Sequence, residues 1–187
     1  MFKLKEAFSS VLSRTNHPIK IKIVVGLLSK REERFSDVRS KLEKKLGPVD
    51  ITSNIINFFH TEYYKEELGS DLKRVFFSFR RLAEKKNLHA IKLYTGSIEK
   101  LFTVNGRREI NIDPGYLSQS KLVLFSTKDY CHRIYLAKGI HAEVTLKYEK
   151  NTFTPWPWTF PDYKSQEYID FFNGVRKRYN IQLKEDR

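Results

Sequence analysis

Runs of apolar residues predict that strands and helices alternate along the chain. Residues 19–28 are apolar at nearly every position from Ile21 onward, which is typical of a central strand buried on both faces of a sheet. The next apolar residues recur at helical spacing and predict one buried helix face: Phe35, Val38, Leu42 and Leu46. Gly47 and Pro48 follow, and a glycine followed by proline commonly ends a helix.

The middle of the chain predicts mainly strands. Residues 49–59, 72–82 and 107–113 have strand-like patterns, and Pro114 with Gly115 predicts a turn. Residues 83–103 are ambiguous, because 90–94 fit a strand whereas 97–102 fit a helix. Residues 118–128 favour a helix.

A β-hairpin over residues 132–148 is the clearest local prediction. Apolar Ile140, Ala142, Val144 and Leu146 alternate with His141, Glu143, Thr145 and Lys147. With the loop at residues 137–139, Tyr135 pairs with His141 and Arg133 pairs with Glu143. One hairpin face then carries these polar side chains: Arg133, Tyr135, His141, Glu143, Thr145 and Lys147. That face is either a solvated sheet surface with cross-strand ion pairs or the polar floor of a pocket.

The order of the predicted elements indicates the fold class. A last helix begins near Ser165, a favourable N-cap residue, and has an apolar face of Tyr168, Phe171, Phe172, Val175 and Tyr179. The whole order favours an α+β fold with a ferredoxin-like antiparallel sheet, an added β-hairpin and a C-terminal helix. We expect residues 1–18 to be an N-terminal extension and residues 19–187 to form a single domain.

The charge changes this picture more than any other feature of the composition. Lys and Arg total 35 and Asp and Glu total 22, a formal charge of +13. Such a charge attracts polyanions, although a lysine-rich composition can also exist without such a partner. No apolar run reaches the roughly 20 residues that span a bilayer, and no signal peptide is visible, so we expect a cytoplasmic protein. A single cysteine, Cys131, excludes an internal disulfide and a Cys-rich zinc site.

Several well-known motifs are missing from the sequence. It has no G-x-x-x-x-G-K-[ST] loop, so we expect no tight, magnesium-dependent GTP binding and no GTP hydrolysis of the P-loop kind. A G-x-G-x-x-G dinucleotide loop and a G-x-S-x-G elbow are missing too. His141 and Glu143 match the H-x-E of zinc deaminases, but no P-C-x-x-C follows them.

The polar residues around the hairpin favour a site for a phosphate-bearing ligand, such as a nucleotide or RNA, which the protein binds or processes. Asp113, His132 and Glu143 are the candidate catalytic residues. The candidate ligand-binding residues supply positive charge or orienting hydroxyls: Tyr116, Lys128, Arg133, Tyr135 and Lys147. We expect Asp113, Lys128, His132, Arg133 and Glu143 to converge in one cleft. The sequence identifies no cofactor.

Two alternatives remain open at this point. Residues 153–163 combine aromatic residues with prolines: Phe153, Trp156, Trp158, Phe160 and Tyr163. They predict either a strap that packs over the core or an exposed contact for a protein or for nucleic-acid bases. The other alternative is a metal-dependent hydrolase built on Asp113, His132 and Glu143, in which a cation offsets the carboxylate charges.

Seven segments together resemble a bacterial family known as the domain of unknown function numbered forty-four sixteen. They are residues 45–50, 61–64, 111–117, 126–130, 132–136, 143–146 and 158–163. The resemblance covers about residues 20–180 and brings no established chemistry, although members are sometimes labelled GTP-binding. It also implies an aromatic residue at position 141 in many relatives, which argues against His141 as an indispensable catalyst.

Overall fold

The computed structural model describes residues 20–59 and 68–186. Its strands are β1 (Lys20–Ser29), β2 (Val49–Thr52), β3 (Ile56–Asn57), β4 (Lys73–Glu84), β5 (Thr103–Val104), β6 (Arg107–Arg108), β7 (Asn111–Leu117), β8 (Lys121–Ser126), β9 (Ile134–Ala137), β10 (Ile140–Glu149) and β11 (Thr152–Pro155). Its helices are α1 (Glu33–Leu46), α2 (His89–Leu101) and α3 (Gln166–Glu185), with a short 3₁₀ turn at Asp162–Lys164. The predicted N-terminal extension lies outside the described residues.

One large antiparallel sheet organises the described chain. Its strand order is β11-β10-β8-β7-β1-β4-β2, with β3 also paired to β4 and β9 also paired to β10. Helices α1 and α2 pack on one face of this sheet and α3 packs on the other. The predicted α+β class, with a large antiparallel sheet and a C-terminal helix, is therefore confirmed.

Alternating side chains of the central strands build two cores. On β1, Ile23, Val25 and Leu27 face α1 and α2, whereas Val24 faces α3. Lys22 also points away from the α1 side, and its buried ammonium donates to Asp50 Oδ2 at 2.6 Å and to Gln182 Oε1 at 2.7 Å. A third bond to the Phe79 carbonyl, at 3.0 Å, satisfies the ammonium, so its burial is compensated by three acceptors.

Three predictions for the middle of the chain are wrong. Residues 118–128 contain the strand β8 instead of a helix, because its side chains are buried on both faces and leave no clear period in the sequence. The predicted turn at Pro114 and Gly115 lies inside β7. A Cβ on Gly115 would lie 2.2 Å from the Val123 carbonyl oxygen, so glycine permits the close approach of β8. The ambiguous region forms α2, which makes the strand interpretation of residues 90–94 wrong.

The hairpin is confirmed, but its polar face is partly covered. Lys138 and Gly139 form the loop with φ angles of 52° and 73°, as a two-residue turn with positive φ at both positions requires. Tyr135 pairs with His141 as predicted, while a bulge next to Ile140 shifts that residue opposite Ala137. His141, Glu143 and Thr145 are buried. The interpretation of this face as a solvated surface is therefore wrong at these three positions.

Candidate functional site

The sheet splits where β7 and β8 diverge. Their pairing covers only residues 115–117 of β7, so among the described residues the stretch from Asn111 to Pro114 has no partner strand on that side. Helix α2 supplies the missing partners for Ile112: Lys92 Nζ donates to its carbonyl at 2.8 Å, and Glu99 Oε1 accepts from its N–H at 2.6 Å. Side chains of a helix thus replace strand pairing and hold the two strands apart.

A cavity of about 610 Å³ lies in this split. Its walls come from one side of α2, the start of β7, the end of β8 with the loop that follows, and residues 160–163 before α3. We call this space the split-sheet cavity. Six cationic side chains line it: Arg74, Lys92, Lys100, Arg108, Lys128 and Arg133. Four carboxylates also line it, which leaves a formal balance of +2: Glu99, Asp113, Glu143 and Asp162.

Arg74 forms the centre of one group of charges. It projects from β4, is 2% exposed, and donates from Nη1 to Asp113 Oδ2 at 2.9 Å and from Nη2 to Asp162 Oδ2 at 3.4 Å. Burial alone raises the pKa of Asp113, but the charges of Arg74 and Lys92 outweigh it, so this pKa lies below its ordinary value. Asp113 is therefore an ionised acceptor at neutral pH.

Glu143 forms the centre of a second group on the opposite wall. Its Oε2 accepts from Arg133 Nε at 2.7 Å and lies 3.3 Å from His132 Nε2, while its Oε1 accepts from Thr145 Oγ1 at 3.2 Å. Arg133 also donates to Ser126 Oγ at 2.7 Å. These bonds connect the hairpin to the end of β8 and fix both charges, which are almost completely buried.

Glu99 belongs to a third group, beside the backbone of β7. It accepts from Ile112 and pairs with Arg108 Nη1 at 3.2 Å. Burial raises the pKa of Glu99 above its ordinary value, because Lys92, Arg108 and the Ile112 N–H only partly offset the loss of water. An elevated pKa at a cavity wall is a property shared with many ligand-contacting carboxylates.

Four of the five residues predicted to converge line the split-sheet cavity: Asp113, Lys128, Arg133 and Glu143. The fifth, His132, does not line the cavity but contacts two residues that do, Glu143 and Tyr130. The catalytic and binding roles of all five residues stay predictions.

The other predicted ligand-binding residues lie elsewhere. Tyr116 packs on Phe125 on the α2 side of the sheet, at 6.0 Å between ring centroids. Tyr135 is 61% exposed near the hairpin tip. Lys147 lies at the other end of β10, 4.7 Å above the ring of Trp156. Tyr116 lies near the end of β7, while Tyr135 and Lys147 lie on the hairpin, and these strands extend well beyond the cavity.

Several residues of the cavity were missed by the sequence analysis: Arg74, Lys92, Glu99, Arg108 and Asp162. A usable signal existed for Arg74, because a cation next to Val75 within the apolar strand predicted over residues 72–82 needs a partner once it is buried. Lys92 and Glu99 were hidden by the ambiguous assignment of α2, since their shared helix face is defined only once the helix is known.

An aromatic stack lies behind Glu143. Trp156 and Trp158 are parallel with ring centroids 5.0 Å apart, and His132 stacks on Trp158 at 5.8 Å. Thr159 anchors this segment by donating to the Thr145 carbonyl at 2.6 Å. Residues 153–163 thus pack across β10, although Trp158 and Phe160 each remain 41% exposed.

The described residues, 20–59 and 68–186, contain no group of three His, Cys, Asp or Glu side chains placed to hold a metal ion. Within the same residues, no helix is long and apolar enough to cross a membrane.

Comparisons with known proteins give one result. The family model described as a domain of unknown function, DUF4416, matches residues 19–179. Neither the curated proteins nor the solved structures give a match. The family match covers most of the chain, including every strand of the large sheet and all the residues that line the split-sheet cavity. The chain therefore belongs to the DUF4416 family.

Proposed function

We propose that the protein binds a small phosphate-bearing ligand of about nucleotide size in the split-sheet cavity. The observation that carries this proposal is the excess of cations over carboxylates around a space of about 610 Å³. Ligand sites of small molecules commonly occupy about 300–1,000 Å³. That size favours a single nucleotide or a smaller phosphate ester over a folded RNA.

The distribution of charges supports an anionic ligand. Arg74, Arg108 and Arg133 each bind carboxylates of the cavity wall. Lys92 and Lys100 project from α2, and Lys128 follows β8 on the other side. Lysines act as flexible point charges, which suits a phosphate whose oxygens can be approached from several directions.

The strand connectivity supports a ferredoxin-like assignment as part of the proposal. Strands β1, β2, β4 and β7, joined through α1 and α2, have the spatial order β7-β1-β4-β2, and all neighbours are antiparallel. This is the order of a split β-α-β pair. Strand β8 then extends the sheet at β7, so the proposed site lies where the addition joins the ferredoxin-like unit.

Calorimetric titration of the full chain at low salt tests the proposal. The ligands are inorganic phosphate, pyrophosphate and a ribonucleoside 5′-monophosphate. We expect binding that a Lys100→Gln/Lys128→Gln double variant weakens about tenfold, or about 1.4 kcal/mol. The matched control is Lys44→Gln/Lys184→Gln, which removes the same charge from exposed positions of α1 and α3. Equal losses in both double variants, or no binding of any of the three ligands, would contradict the proposal.

A further inference from the structure

Two exposed aromatic rings lie at the wall of the split-sheet cavity. Tyr130 and Phe160 both line it, and they remain 46% and 41% exposed. Among the described residues, the ring of Phe160 contacts neither another aromatic ring nor a cation. Pockets for small molecules are lined mainly by apolar and aromatic side chains, with a few polar groups that orient the ligand. The two rings therefore supply the apolar surface that the charged residues of this cavity do not.

The chain holds Phe160 in place from both sides. Thr159 precedes it, is buried, and donates to the Thr145 carbonyl at 2.6 Å. Asp162, two residues after it, is buried in an ion pair with Arg74. A side chain whose backbone is already fixed loses less freedom when a ligand packs against it. Phe160 is thus a preformed contact surface at the cavity wall.

Tyr130 is also held by its neighbours. The guanidinium carbon of Arg133 lies 4.5 Å from the centroid of the Tyr130 ring, and Arg133 is itself fixed by its buried ion pair with Glu143. A phosphate gains little from aromatic surface, whereas a planar base stacks on it. A planar ring system in the ligand accounts for both exposed aromatic side chains.

The helical wall of the cavity has a gap between two lysines. Lys92, Gly96 and Lys100 lie at i, i+4 and i+8 of α2, so they share one helix face, and all three line the cavity. A Cβ on Gly96 would meet no described atom within 4 Å, so packing within the described chain does not require glycine there. Glycine inside a helix is less stable than alanine. Its missing side chain lets an anion approach the helix closely between the two ammonium groups.

The aromatic wall and the lysine wall lie on different sides of the sheet. Helix α2 packs on one face, whereas residues 160–163 lead into α3 on the other. We infer that the ligand of this cavity is a nucleotide whose phosphate lies between Lys92 and Lys100 and whose base packs against Phe160. This inference rests on the proposed function and adds the chemical class of the ligand. A nucleotide carries both of the groups that the two walls bind, an anion and a planar ring system.

Calorimetry with two phosphate esters, one with a base and one without, tests the inference. Adenosine 5′-monophosphate and ribose 5-phosphate share a ribose and a phosphate, and only the first has a base. We expect the nucleotide to bind about 5- to 100-fold more tightly, which is the range that stacking of a base on an aromatic side chain provides. Equal affinities for the two ligands would overturn the inference but leave the proposed function intact, whereas binding of neither would overturn both.

The variant Phe160→Ala separates the base contact from the phosphate contact. It should lower the affinity for adenosine 5′-monophosphate about fivefold or more and leave that for ribose 5-phosphate unchanged. Retained binding of ribose 5-phosphate also shows that the variant folds. Tyr135→Ala is the matched control, because it removes an exposed ring that does not line the cavity, and it should change neither affinity. Equal nucleotide affinities in these two variants would overturn the base contact.

The variant Gly96→Ala tests the position of the phosphate. Alanine should raise the unfolding temperature because it favours the helix, while its methyl group should lower the affinity for both ligands about tenfold. Gly174→Ala is the matched control, since Gly174 lies on α3 with open space around it. It should raise the unfolding temperature and leave both affinities unchanged. Affinities that Gly96→Ala does not change would overturn the placement of the phosphate between Lys92 and Lys100.

Discussion

The buried pair of Glu143 and Arg133 makes the sharpest prediction about stability. Glu143→Gln keeps the shape of the side chain but removes its charge. Arg133 then remains 3% exposed with its Nε still 2.7 Å from an oxygen, but without a counter-ion. Leaving one member of a buried ion pair uncompensated costs about 3–5 kcal/mol, and the two bonds of Arg133 Nη1, to Ser126 Oγ and the Lys128 carbonyl, offset part of that. We expect Glu143→Gln to lower the free energy of unfolding by about 2–4 kcal/mol.

The measurement is urea denaturation at pH 7, followed by tryptophan fluorescence, because urea does not screen charges. Thr145→Val is the matched control, since it removes only the 3.2 Å bond to Glu143 Oε1 and should cost about 1 kcal/mol. The double variant Arg133→Met/Glu143→Gln should recover part of the loss, because it removes both charges. A cost of Glu143→Gln no greater than that of Thr145→Val would refute the reasoning. So would a double variant whose loss in free energy of unfolding exceeds the summed losses of its two single variants.

Three further predictions concern other positions. Glu99→Gln should raise stability at pH 7: burial raises the pKa of Glu99, so the ionised form is disfavoured in the fold. The folded protein then binds more protons than the unfolded chain just above pH 4.5. The stability of the wild type relative to Glu99→Gln should therefore fall as the pH rises from 4.5 towards 7. A difference in urea midpoints that stays constant over this range would contradict the prediction. Gly115→Ala should destabilise by about 1–3 kcal/mol through the close contact with Val123, measured by thermal unfolding with Gly174→Ala as a control with open space around it. Ser165→Ala should cost about 1 kcal/mol, because Ser165 Oγ accepts from the N–H of Tyr168; Ser97→Ala, on an exposed position, should change the unfolding temperature less.

Part of this fold could be predicted from the sequence because its signals are local. The face of α1 repeats at helical spacing, and the alternation in β10 fixes which residues pair across the hairpin. β8 gave no such signal, since Leu122 and Val123 are apolar neighbours buried on opposite faces of the sheet. A strand of that kind is distinguished from a helix only by its partners in the sheet.

The residues of the candidate site were likewise predicted where the sequence signal was local and missed where it was not. Asp113 and Glu143 were predicted because they lie beside turn-like or alternating segments. Arg74 and Asp162 are 88 residues apart in sequence, and only the completed sheet brings them together. Contacts over such distances depend on topology, which no local pattern encodes.

The split between β7 and β8 also has a consequence for behaviour at high concentration. A sheet that opens internally creates two unpaired strand edges, and such edges readily recruit strands from other molecules. Here Lys92 and Glu99 occupy both backbone groups of Ile112, and Pro114 has no N–H to offer. The exposed edge of β7 is thereby protected by a helix in the same molecule. The protein can keep a space open inside its sheet without presenting the edge of β7 as a template for aggregation.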